Sequence, residues 1–202
     1  MLIEIAIMIT LGIAASAIAA LPFGLVNLTV LNVSLEQGNK SALKIAHGAS
    51  LIEVLFGFTA ILAGSLIYQK LNGNLTVSYI TAGVLIAGGI FFYLKKQAPA
   101  KEQATSGSGF LKGVILNLVS IQVFLFWILA LAFLSARGLI QYQPLSIIGF
   151  LIGIWLGKMG ILLLYMNLGM RMLSRSGLIS QNINRIIGIV LFGMAFIQFL
   201  KP

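Results

Sequence analysis

Long apolar runs alternate with short charged or polar clusters along the whole chain. A helix crossing the roughly 30 Å hydrocarbon layer of a membrane needs about 20 mostly apolar residues. Runs of that kind stand near residues 5–31, 45–67, 77–94, 110–134, 145–170 and 183–200. The pattern predicts an all-α integral membrane protein of six transmembrane helices, with both chain ends on one side. The first run has the small residues of a signal peptide near Leu21, but it lacks a basic start, carries Glu4 and stays apolar past Pro22. It is read as a retained span.

Composition agrees and removes most chemistry. Hydrophobic residues make up 59% of the chain and charged ones 8%, far from the roughly 25% charged of soluble domains. With no cysteine, no aspartate and one histidine, His47, the chain lacks the residues of a thiolate or multi-histidine metal site or an Asp-containing triad. It also lacks a Gly-rich phosphate loop of Walker type. Neither an enzyme nor a cofactor is expected. The net charge of +9 is spread between apolar runs rather than over a basic face, so the partner it implies is the lipid bilayer and not nucleic acid.

Lys and Arg are shared unequally between the two sides. The connections after the first, third and fifth runs hold Lys40, Lys44, Lys95, Lys96, Lys101, Lys112, Arg171, Arg175 and Arg185, whereas the other side holds Lys70, Arg137 and Lys201. Cytoplasmic connections are the Lys/Arg-rich ones, so both termini are expected outside. Residues 95–109 form the one long polar stretch, rich in Lys, Gly and Ser like a flexible linker. It separates a first half, 1–94, from a second, 110–202, within a single membrane domain. Three spans is an odd number, so related halves would lie in opposite orientations, as inverted repeats of transporters do. Residue by residue, the halves show no convincing match.

Polar residues inside the runs are the candidate site. Glu53 and Lys158 are ionisable groups placed deep in spans, where a charge costs at least about 2.5–3.5 kcal/mol and so needs a partner or a task. Counted from Lys44 and from Arg171, their depths differ by about 6 Å at 1.5 Å per residue. They are close enough in depth to meet. Ala46, Ala49, Ser50, Glu53, Gly57, Ala60 and Gly64 share one face of the second span. Gly149, Gly153 and Gly157 give the fifth span a face that another helix can approach closely, either within the chain or from a second copy in a homo-oligomer. Lys158 lies off that face.

Pro22 and Gly24 should break the first helix, with Asn27 following, and broken backbone at membrane depth lines a site or a cavity. In the second half, Asn117, Ser120 and Gln122 supply polar groups early in the fourth span.

These residues resemble the lysine exporter (LysE/RhtB-type) superfamily of small amino-acid efflux carriers. Leu21-Pro-Phe-Gly-Leu-Val-Asn27 is similar to that family's Pro-Pro-Gly-Pro-Val-Asn element, with Phe23 and Leu25 in place of two prolines. Val30-Leu-Asn-Val-Ser-Leu-Glu-Gln-Gly38 resembles its loop segment ending in Gln-Gly. His47-Gly-Ala-Ser-Leu-Ile-Glu53 resembles a segment with an acid at its end, Phe110-Leu-Lys-Gly-Val-Ile-Leu-Asn117 the opening of the fourth span, and Arg185-Ile-Ile-Gly188 the start of the last. Ser120 stands where an Asn-Pro pair would end, and Lys158 near where many members have an acid. The resemblance implies a secondary exporter of amino acids or similar metabolites in the bacterial cytoplasmic (inner) membrane. A basic residue at the midplane disfavours a cationic cargo, which points to a zwitterionic one. The competing reading is a non-transporting membrane subunit whose Glu-Lys pair only fixes helix packing.

Overall fold

The computed structural model describes residues 2–21, 24–71, 75–94, 109–175, 185, 188, 189 and 191–197, and every regular element among them is helical. Helix α1 (Leu2–Ala20) ends one residue before Leu21, which precedes a proline and is thereby turned away from helical conformation. Helix α2 (Leu25–Gln37) starts after Gly24, whose backbone is extended. The expected break of the first helix therefore coincides with the α1–α2 junction, although Pro22 itself lies outside the described residues. One expectation needs correcting. The first apolar run is not one span through residue 31, because α1 alone has the length and hydropathy to cross, and α2 is a separate helix of 13 residues.

Helix α3 (Asn39–Leu71) follows Gly38, whose φ of 82° turns the chain back. Then come α4 (Leu75–Leu94), α5 (Gly109–Leu118), α6 (Ile121–Ala136) and α7 (Pro144–Arg175). The fourth run, read as one straight span, is bent by 62° between α5 and α6. Its cause is local hydrogen bonding rather than proline. The Ser120 amide reaches only back to the Asn117 carbonyl, the Ile121 amide to that of Val119, and the Ser120 hydroxyl donates to the Leu116 carbonyl, so the regular ladder is lost there.

Three described helices are long and apolar enough to cross a membrane, or four if the bent α5–α6 pair is one span. The third expected span corresponds to α4. Of the sixth, residues 185, 188, 189 and 191–197 are helical and the rest lies outside the described residues, as does the linker at 95–108.

Glycines set the two closest helix pairings. Helices α1 and α7 run parallel, and a Cβ added to Gly12 would strike the Phe150 carbonyl oxygen, while one added to Gly153 would strike that of Ile9. The glycine face of the fifth span is therefore occupied inside the chain, by α1. Helices α3 and α5 are packed in the same manner. A Cβ on Gly113 would strike the Ile45 carbonyl oxygen, and one on Gly48 that of Phe110. Small residues let backbones approach in this way and gain van der Waals contact where lipid offers no hydrophobic drive.

Two apolar clusters fill the interior. One holds Met8, Ile61, Trp127, Phe150 and Ile154; the other holds Val26, Val30, Ile45, Ala49, Leu162 and Met166. Outward faces carry exposed Ile3, Ile7, Leu55, Ile148, Ile152 and Leu164, the surface an integral membrane protein offers to lipid.

Candidate functional site

The site is built where α3 and α7 cross. All seven small or polar residues expected on one face of the second span, from Ala46 to Gly64, are buried. That face turns inward because it has the small side chains that neighbouring helices need. Gly57, one turn beyond Glu53, is where the Ile154 side chain of α7 lodges, so α7 passes close to Glu53. Lys158 is about 100° round α7 from Gly157. Since the glycine face is taken by α1, this offset is what points Lys158 at α3.

Glu53 and Lys158 meet. Lys158 Nζ lies 2.7 Å from Glu53 Oε2, with the two residues 2% and 0% exposed respectively. The second carboxylate oxygen, Oε1, accepts a hydrogen bond of 3.0 Å from the Ser16 hydroxyl of α1, also fully buried. A buried pair survives its desolvation cost only when geometry is good and the remaining lone pairs are used. Here three helices contribute. Along the chain the pair separates the two apolar clusters. On α3, Ile45 and Ala49 before Glu53 belong to one and Ala60 and Ile61 after it to the other; on α7 the order is reversed, with Phe150 and Ile154 before Lys158 and Leu162 and Met166 after it. The charges thus sit between two apolar plugs.

Asn117 adds a fourth helix. Its Nδ2 donates at 2.8 Å to the carbonyl of Ala49, one turn before Glu53, and so ties α5 to the backbone that carries the carboxylate. Its Oδ1 is buried with no hydrogen-bond partner among the described residues, and the same holds for Ser50 Oγ and Trp127 Nε1. Leaving such atoms unmatched costs about 1–3 kcal/mol each.

The other expected residues are distributed differently. Asn27 Nδ2 donates to the Ala20 carbonyl at 2.5 Å, closing the open end of α1, and its side chain is also hydrogen-bonded to Tyr165. The Tyr165 hydroxyl in turn donates to the Leu21 carbonyl at 3.0 Å. This second cluster lies on α7 two turns from Lys158, roughly 10 Å along the helix. Gly24 is exposed beside it, and Ser120 serves its own helix at the α5–α6 bend. Gln122 is half-buried at the start of α6. His47 is exposed and stacked against Trp155 at 5.8 Å between ring centroids, away from the ion pair's buried surroundings. Ser16, Ser50, Trp127 and Tyr165 were not among the residues singled out as a site from sequence. A lone serine in an alanine-rich run has no pattern of its own, and Ser50 stood only as a member of the small-residue face.

Comparison with known proteins gives one match. The family model described as LysE type translocator covers residues 17–200. No curated protein and no solved structure matches the chain.

Proposed function

The chain belongs to the LysE type translocator family, and from that premise we propose that it exports a small zwitterionic metabolite, such as an amino acid, by alternating access about the Glu53–Lys158 pair. The observation that carries the reading is the pair itself, one carboxylate and one ammonium held 2.7 Å apart between two apolar plugs. A zwitterion presents the same two groups. Its ammonium replaces Lys158 at Glu53 and its carboxylate replaces Glu53 at Lys158, so two charge pairs stand where one stood and no charge is left alone. The unmatched Asn117 Oδ1 and Ser50 Oγ add polar groups on the same side of α3. Coupling of this exchange to an ion is part of the proposal.

Alternating access is supported by the way the helices pair. Phe110 and Gly113 on α5 stand 101 places after Ile9 and Gly12 on α1, and Phe150 and Gly153 on α7 stand 105 places after Ile45 and Gly48 on α3. The α1·α7 contact is thereby the α5·α3 contact with the halves exchanged. Both plugs follow the same steps: Val26, Val30, Ile45 and Ala49 in one answer to Trp127, Leu131, Phe150 and Ile154 in the other. Glu53 and Lys158 are themselves 105 apart, so each is the other's counterpart, and two counterparts in contact lie on the axis relating the halves. Inverted repeats with a midplane site on that axis are the plan of many secondary transporters. The charge split of the connections supports an orientation with both termini outside, and the family likeness supports the bacterial inner membrane as the setting.

Counterflow in proteoliposomes tests the substrate class. Uptake of a labelled neutral amino acid should be competed by other zwitterions of similar size but not by their methyl esters or their deaminated acids. Equal competition by a lone amine or a lone acid would sink the zwitterion reading.

A further inference from the structure

Resting on the alternating-access reading above, we propose that Asn117 is the counterpart of Ser16: in the conformation opened to the opposite side, Asn117 Oδ1 accepts a hydrogen bond from Lys158 Nζ while Ser16 releases Glu53. Position carries the first part of the argument. Asn117 stands 101 places after Ser16, the same step that takes Ile9 to Phe110 and Gly12 to Gly113. Lys158 stands 105 after Glu53, the step that takes Ile45 to Phe150 and Gly48 to Gly153. Ser16 is therefore to Glu53 as Asn117 is to Lys158.

Only one of these two matched bonds is made. Ser16 holds Glu53 Oε1 at 3.0 Å, whereas Asn117 sends its donor to the Ala49 carbonyl and keeps Oδ1 buried and unmatched. The residue types fit the charges they would serve. A hydroxyl donates to a carboxylate, and an amide oxygen can only accept, which is what an ammonium with three donors requires. When the halves exchange conformations, the Ser16–Glu53 bond maps onto Asn117–Lys158, and the Asn117–Ala49 carbonyl bond maps onto one from Ser16 to the Ile154 carbonyl. Each conformation then has one bond to a charge and one to a backbone carbonyl. The switch conserves its polar contacts, while the ion pair stays on the axis throughout. Asn117 is thus a positioning residue that acts through Lys158.

The absence of cysteine allows a direct test with single thiols. Ala46 and Ala60 are buried on α3, seven residues before and after Glu53, so Ala46→Cys and Ala60→Cys report water reaching the pair from opposite ends. The readout is the ratio of their modification rates by N-ethylmaleimide in proteoliposomes. A bond to a charged group outweighs one to a carbonyl, so Ser16→Ala should move this ratio about five- to tenfold one way and Asn117→Ala a similar factor the other way. Asn117→Asp, which keeps the acceptor and loses the donor, should move it opposite to Asn117→Ala, and it stands in if that variant fails to fold. Shifts in the same direction, or none in either, would overturn the proposal. If no shift is seen while a well-folded Glu53→Gln with Lys158→Met variant abolishes counterflow, the partner exchange fails and the site reading stands. If Glu53→Gln with Lys158→Met exchanges substrate at the wild-type rate, the site reading fails as well.

Discussion

Splitting the Glu53–Lys158 pair by substitution should cost far more stability than removing it altogether. At 2.7 Å and an effective dielectric near 20, two unit charges attract by about 6 kcal/mol, most of which offsets the loss of their hydration. Glu53→Gln keeps the shape and leaves an oxygen to accept from Ser16, so it removes little besides charge, and it strands an ammonium that is 2% exposed. Lys158→Met strands the carboxylate in the same surroundings. Each single change should lose about 3–5 kcal/mol, the usual cost of breaking a buried pair from one side. The double change leaves no charge behind and should lose less than either single, giving a coupling of at least about 3 kcal/mol. Reversible unfolding in mixed micelles, with denaturing detergent as the variable, measures all four corners of the cycle. Losses below about 1 kcal/mol for each single, adding up in the double, would show that the charges do not feel each other and would refute the reasoning.

Gly153→Leu should block folding or remove several kcal/mol, because its side chain would strike the Ile9 carbonyl; Gly160→Ala, with open space around it, should raise stability by about 0.5–1 kcal/mol, and thermal unfolding compares the two. Tyr165→Phe frees the Leu21 carbonyl and should cost about 1–3 kcal/mol while raising proteolytic cleavage near the α1–α2 junction; unchanged cleavage would show that this bond does not hold the junction. A reporter active only in the cytoplasm should work when fused after Gln103 and fail after Pro202, and the reverse result would overturn the orientation.

Sequence made the charges legible and left their company hidden. Glu53 and Lys158 stand out because charge is costly inside apolar runs, and counting from the basic ends put them at similar depth. The glycine face of the fifth span was equally plain, but its partner was not, since Gly12 is an isolated glycine in α1 without a repeat. The α5–α6 bend carries no proline, and Asn117 and Ser120 divert hydrogen bonds in a way that spacing does not reveal. Similarity between the halves was illegible for a further physical reason. At matched positions few residues are the same: the close-approach glycines are, Gly12 with Gly113 and Gly48 with Gly153, but Ser16 answers to Asn117, Val26 to Trp127 and Glu53 to Lys158. Backbone approach constrains residue type, whereas the site and the plugs differ between the halves. Ser16 and Tyr165 needed coordinates, because a hydroxyl on an apolar helix matters only through what faces it.

The most direct test of the central claim is counterflow by the double variant Glu53→Gln with Lys158→Met, reconstituted alongside the wild type and checked for folding by its elution as a single species. Stability and substrate handling then separate, since the double change leaves no stranded charge. A well-folded double variant that no longer exchanges a zwitterion carried by the wild type is the result expected if the pair is the site. A double variant that exchanges it at the wild-type rate would reduce the pair to a structural tie between α3 and α7.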